Sequence, residues 1–149
     1  MYKVDKADEE LVAKYNWSKS SGYIKAFIEK SRLDPTYTGK RERTVVYMHR
    51  LVIGAKEGEI VDHINQDKTD NRKSNLRIAT KSVNTLNSKW SISRTGFRGV
   101  MLNKQKGKPY KATITIDGKR THLGSFDDPE EAHKAYCIKR KEHINGLYA

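Results

Sequence analysis

The chain has 149 residues, with 30 Lys and Arg against 18 Asp and Glu, giving a formal net charge of +12. Hydrophobic residues make up 36% and mean hydropathy is -0.85, which is low for a single large core, while aromatics at 9% argue against wholesale disorder. The longest apolar run, residues 51–55, is far below the ~18 residues of a membrane span, and the opening MYKVDKADEE lacks the basic-then-apolar layout of a signal peptide. The single cysteine, Cys137, excludes an intrachain disulfide and a Cys-based zinc site. These features predict a small, soluble, intracellular, basic protein whose partner is a polyanion.

In chain order, residues 1–16 read as an acidic, weakly patterned lead-in. Short strands are predicted over 22–28 and 43–47, separated by a turn-rich stretch with Pro35 and Gly39. A short helix over 49–53, ended by Gly54, follows. EIVDHINQDKTDNRKSNLRIAT then holds brief apolar pieces (Ile60, Val61, Ile64, then Leu76, Ile78) around a polar loop, which reads as two strands joined irregularly. Thr80 is placed to cap a helix carrying Val83, Asn84, Leu86 and Asn87. Residues 88–95 read as a linker.

The last third is more regular. Strands are predicted over 97–103, 110–116 and 119–125, with Asp117-Gly118 as a two-residue hairpin turn. Ala112, Ile114 and Ile116 alternate with Lys111, Thr113 and Thr115, so one sheet face is apolar and the other polar. A helix follows, with Asp128 as N-cap, Pro129 at its first position, Ala132, Ala135 and Tyr136 on its covering side, and Gly146 as its stop. Cys137 reads as a small buried residue. Asp70 is the last acid before Asp117, and residues 71–116 hold eleven basic residues. Segment 96–125 carries net +6 while 126–149 carries net -1, so the charge sits on the sheet and points at nucleic acid.

One constellation has the parts for phosphodiester hydrolysis, which needs a base for water and a cation for the developing negative charge. Asp62 is a carboxylate of the kind that holds Mg²⁺, and His63 is a base whose unperturbed pKa is close to working pH. Adjacent strand residues point to opposite faces, so the pair must sit where the strand breaks into the DHINQDKTDN loop if both are to serve one phosphate. Asn75, 12 residues after His63, is placed to tie that loop and hold the imidazole; Asn84, 21 after it, falls on the helix, where its carbonyl oxygen would complete a metal site. His49 either orients the hairpin or packs beneath it. Arg72, Arg77 and Lys81 are candidate phosphate contacts, Trp17 reads as core, and Trp90 as a linker anchor or a base-stacking residue.

The pattern DHIN…DNRKSNLR…N, preceded by a Trp17…Gly22-Tyr23 hairpin and the His49-Arg50 pair, resembles the HNH nucleases with a ββα-metal motif, in particular the small phage-type homing endonucleases. The resemblance implies that Asp62 and Asn84 bind metal, His63 is the general base, and Asn75 is the loop-fixing Asn. Phe97-Arg98-Gly99-Val100, the strand YKATITI, Leu123-Gly124-Ser125-Phe126 and Glu130-Glu131-Ala132…Ala135-Tyr136 fall in the order of the AP2-type DNA-binding domain. That likeness implies a three-stranded sheet laid in the major groove, with Arg98, Lys111, Thr113, Thr115, Arg120 and His122 facing DNA. Thr and His stand where the plant members favour Arg, Glu and Trp, so the preferred base sequence does not carry over.

The expectation is therefore an α+β protein: an HNH module over 1–88, a linker over 89–95 and an AP2-like module over 96–149. Its expected activity is Mg²⁺- or Mn²⁺-dependent hydrolysis of double-stranded DNA, in the cytoplasm of a bacterial host if phage-encoded. The alternative of another class is a non-catalytic DNA-binding regulator on the same scaffold; an RNA partner is disfavoured because A-form RNA lacks a wide major groove.

Overall fold

The computed structural model describes residues 1–40, 42–88, 93–104 and 107–148. Most of the expected linker, with Lys89 and Trp90, lies outside these residues. The chain divides into two compact units, Met1–Thr80 and Lys81–Ala149.

In the first unit, β1 (Ser18–Ser20), β2 (Tyr23–Glu29) and β3 (Arg43–Tyr47) form an antiparallel sheet in that order. Ile24, Ala26 and Ile28 of β2 are buried while Phe27 between them is exposed, the period of two that a half-buried strand requires. The sheet's apolar side joins Met48 and Val52, one turn apart on α3 (Met48–Ile53), with Leu76, Val12 and the flank of Trp17. Gly54 ends α3 in the left-handed region at φ 68°, a conformation cheap only for glycine. Arg50 then clamps the next turn by donating to the carbonyls of Glu59 (2.5 Å) and Lys56 (2.6 Å). Beyond it, β4 (Ile60–His63) pairs antiparallel with β5 (Leu76–Ala79).

The first residues differ from an idle lead-in. A 3-10 turn at Lys6–Asp8 runs into α1 (Glu9–Val12), and Trp17 Nε1 donates to the Val12 carbonyl at 2.8 Å. Lys3 bridges in parallel to Asp70: its N–H donates to Thr69 O at 2.9 Å, and its carbonyl accepts from Asn71 N at 2.8 Å. The Asp5 carboxylate accepts from Lys73 N, and the Lys73 ammonium pairs with buried Asp8 at 2.7 Å. A four-residue helix is too short for its periodicity to be seen in sequence. A second one, α2 (Lys30–Leu33), occupies the start of the stretch expected to be turn-rich.

In the second unit, β6 (Val100–Leu102), β7 (Tyr110–Ile116) and β8 (Lys119–Phe126) form an antiparallel sheet covered by α5 (Pro129–Gly146). Asp117 and Gly118 both have positive φ (49° and 79°), the requirement of the tight turn that matches strand twist. Asp128 caps α5 by accepting from Glu130 N and Glu131 N. Val100, Ala112 and Ala132 make one buried cluster; Ile114, Tyr136 and Leu86 of α4 (Lys81–Asn87) make another. Arg140 donates to Leu86 O at 2.7 Å and Arg98 to Thr85 O and Ser88 O, so two guanidinium groups fasten α4 within this unit. The strand expected over 97–103 is only three residues long, because the Ser93 hydroxyl donates to Phe97 O and Gly96 and Gly99 turn the chain at positive φ. Cys137 is exposed, not buried: Ala132 and Tyr136 define the covered stripe of α5, and the next residue is ~100° round the helix. The class is α+β as expected, with three small antiparallel sheets and five α-helices among the described residues. None of those helices is long and apolar enough to cross a membrane.

Gly99 is the tightest point of the second unit. Its φ is 78°, and a Cβ there would lie 2.1 Å from the Tyr136 ring. Gly99→Ala adds a left-handed penalty of about 1–2 kcal/mol to overpacking of about 1–3 kcal/mol. The expected result is a clear fall in melting temperature of the C-terminal unit; an unchanged melting curve would show that Tyr136 moves aside freely.

Candidate functional site

The candidate centre lies where β4 ends. Asp62 and His63 are its last two residues, 6% and 5% exposed, and they face Arg77 and Leu76 across the β4–β5 ladder. Arg77 reaches Asp62 Oδ2 through Nε (2.9 Å) and Nη2 (2.6 Å), and its own side chain is only 12% exposed. Both donors converge on one carboxylate oxygen, a charge-assisted pairing that restrains the Asp62 side chain.

After His63 the chain leaves the strand and returns at Asn75, whose side chain closes the loop. Asn75 Oδ1 accepts from Asn65 N (3.0 Å), and its Nδ2 donates to Asn65 Oδ1 (2.9 Å) and Asp70 O (2.8 Å). The Asn75 carbonyl also accepts from Ile64 N at 2.9 Å. Within the loop, Asp70 is held by the fork of Arg72 (2.6 and 2.8 Å), which lowers its pKa to about 2. Asn71 Oδ1 lies 3.2 Å from His63 Nε2.

The imidazole of His63 sits in an aromatic cluster. The ring of His49, from α3, is 5.1 Å from that of His63, and Tyr23 from β2 packs 5.3 Å from His49 and 6.3 Å from His63. The Lys68 ammonium stands 4.0 Å over the Tyr23 ring. Burial is the main cause that lowers the pKa of His63, opposed by its Asn71 hydrogen bond and the Asp62 charge. His49 is pushed down to about 3 by burial first, then by His63, Arg50 and Lys68. Both rings are therefore neutral near pH 7, and a neutral imidazole is the form that can accept a proton.

The other residues singled out in the sequence are placed as follows. Asn84 and Lys81 are exposed on α4, in the second unit. Arg72 and Arg77 are engaged by Asp70 and Asp62, and Arg98 by the carbonyls at the end of α4. The sheet register brings Lys111, Thr113 and Thr115 opposite Ser125, His122 and Arg120, so all six share one face. A bulge after Ala112, where Gly124 has φ 140°, lets Leu123 turn to the core without moving His122 off that face. Three residues of the first unit's site were not singled out by sequence, Asn71, Asn65 and Lys68, and Tyr23 entered only as part of a hairpin. The density of Asp and Asn in 65–71 was the available signal for the first two.

The donor chemistry suits a hard cation. Asp62 is a buried carboxylate, and no group of three or more His, Cys, Asp or Glu able to hold a metal gathers among the described residues. That is no closed cage, and it fits an ion that takes one or two protein oxygens and fills its sphere with water and phosphate.

The HNH endonuclease family profile matches residues 46–86, a span that runs from the end of β3 through most of α4. An uncharacterized HNH endonuclease of Acanthamoeba polyphaga mimivirus is 28% identical over 137 residues, covering 89% of this chain and 64% of its own length. Protein 3.8 of Escherichia phage T7 is 30% identical over 88 residues, covering 58% of this chain and 72% of its own. The chain thus spans a little under two thirds of the mimivirus relative. No solved structure matches it. The Asp62–His63 pair at a strand end and the Asn75-closed loop both fall within the matched span, so residues 46–86 carry an HNH endonuclease domain.

Proposed function

We propose that the chain is a divalent-metal-dependent DNA endonuclease of the homing type, hydrolysing phosphodiester bonds in duplex DNA and targeted by an AP2-like C-terminal domain. The observation that carries this reading is the buried pair of Asp62 and neutral His63 at the mouth of the Asn75-tied loop, inside the span matched by the HNH family. His63 takes a proton from the attacking water. Asn75 keeps the loop closed so that the imidazole is presented in one place, and Arg77 restrains the Asp62 carboxylate. Asp62 and Asn84 are the residues that would hold Mg²⁺ or Mn²⁺, which when bound supplies charge neutralisation at the phosphate and the departing 3′-oxygen. The His49 ring behind His63 excludes water from one side and limits rotation of the base.

Targeting is assigned to the outer face of the second sheet. Lys111 and Arg120 stand there beside Thr113, Thr115 and His122, an arrangement of cations for phosphates and short polar groups for base edges. Arg98, engaged with α4, contributes to this role by shaping the unit.

The test is cleavage of supercoiled plasmid by wild type and His63→Ala, each with Mg²⁺ and with EDTA. Nicked or linear DNA is expected only from wild type with metal, with DNA affinity of the variant nearly intact. Equal cutting by His63→Ala would remove the base assignment, and binding without cutting on the cognate DNA would favour the regulator. For the sheet, Lys111→Ala and Arg120→Ala should each lower the slope of log affinity against log salt by about one. A slope that neither change moves would take the face off the DNA.

A further inference from the structure

Two consecutive turns carry the chain away from His63. Gln66, at φ 65°, donates its N–H to His63 O at 2.9 Å, and Asp70 N donates to Asp67 O at 3.1 Å, so Lys68 stands at the first corner of the second turn. Asn65 Oδ1 accepts from Asp67 N at 2.8 Å, and Asp67 Oδ1 accepts from Thr69 N (3.0 Å) and Thr69 Oγ1 (2.7 Å), which fixes the backbone on either side of Lys68. From that corner its side chain crosses to the β1–β2 turn. A Cβ on Gly22 would lie 3.4 Å from Lys68 Cδ, and the ammonium stands 4.0 Å over the Tyr23 ring. Tyr23 packs in turn on His49 and His63, so the ammonium is one ring away from the imidazole at the end of β4.

The carboxylates nearest in the chain are directed elsewhere. Asp62 pairs with Arg77, Asp70 pairs with Arg72, and Asp67 is turned to Thr69. Lys68, itself exposed, is held by a ring face, which orients an ammonium without neutralising it. A ring covers one side of that group, and an ammonium has three N–H donors to offer.

We propose that Lys68 binds the scissile phosphate through its non-bridging oxygens, and that Tyr23 is the positioning residue that holds the ammonium beside His63. This names a substrate contact within the nuclease reading above and rests on that reading. A phosphodiester is the anion that reaches such a place in DNA, and a lysine serves it as a compact point charge. As the water's oxygen adds to phosphorus, negative charge builds on the non-bridging oxygens, and the hydrogen bonds from the ammonium strengthen with it. The loop that Asn75 closes thus carries both the end of the base strand and a cation for the phosphate, while the β1–β2 hairpin supplies the ring that aims the cation.

The experiment uses the full chain and a duplex on which the cut made by the wild type has been mapped. Affinity is measured in EDTA on that duplex and on one with a single uncharged methylphosphonate at the cut phosphate. The wild type is expected to bind the modified duplex less tightly. Lys68→Gln, which keeps the stem over Gly22, should lose most of that difference and lower the slope of log affinity against log salt by about one. With Mg²⁺ and saturating DNA it should cut about tenfold more slowly or worse, and Lys68→Arg should recover most of the loss. Tyr23→Phe, which keeps the ring, should behave as wild type, and Tyr23→Leu should shift toward Lys68→Gln. A Lys68→Gln protein that keeps the full methylphosphonate difference, or that cuts at the wild-type rate, overturns the assignment and leaves the nuclease reading standing. A wild type that cuts no DNA refutes the nuclease reading and the assignment with it.

Discussion

A single side-chain amide closes the loop on which the site depends. Asn75 gives three hydrogen bonds to Asn65 and Asp70, and its backbone carbonyl takes a fourth from Ile64. Without it, residues 64–75 would be a polar excursion with no apolar anchor, since Ile64 is exposed. A buried amide so used satisfies donors and acceptors that would otherwise cost about 1–3 kcal/mol each. The Arg72–Asp70 fork and the Asn71–His63 contact both lie within the loop it closes. The loop beside the catalytic candidates is thus held by backbone and amide chemistry, while the His63 ring also packs against His49 and Tyr23.

The second constraint is how a chain of net charge +12 distributes its cations. Several arginines are spent internally. Arg77 goes to Asp62, Arg72 to Asp70, Arg50 to the carbonyls of Lys56 and Glu59, and Arg98 and Arg140 to those at the end of α4. A planar guanidinium can fork over two acceptors and hold turns in place, which an ammonium cannot do as well. Lys111 and Arg120, by contrast, stand on a sheet face with Thr and His and no carboxylate across the register. A structural use of arginine near the centre and a cationic face on the C-terminal sheet divide one excess of charge between folding and binding.

Much of this was legible in the sequence because it rests on local rules. The strand at 43–47, the short helix stopped by Gly54, the Asp117-Gly118 turn and the Asp128-capped helix each carry their own signal and are found within a residue or so. The loop-closing place of Asn75 followed from its position just before a strand. What was not legible depends on long-range pairing. Lys3 meeting Asp70, and Asp5 meeting Lys73, join residues some 67 apart with no pattern in either segment. For Arg72 and Arg77, candidate phosphate contacts, sequence shows the cation but not the acid folded against it. Tyr23 beside His49 and His63 depends on one strand meeting a helix and a hairpin. Cys137, expected buried, is exposed because it follows buried Tyr136 by one residue and so lies about 100° round α5.

The dependence of the site on Asn75 is the claim from which the rest follows, and amide hydrogen exchange in Asn75→Ala tests it most directly. The account predicts that Ile64 and Asn65 lose their protection, and the loop to Asn75 with them, while amides in the β7–β8 ladder of the other unit are unaffected. Retained protection at Ile64 and Asn65 would contradict it, and would mean that the loop is held by something other than this amide.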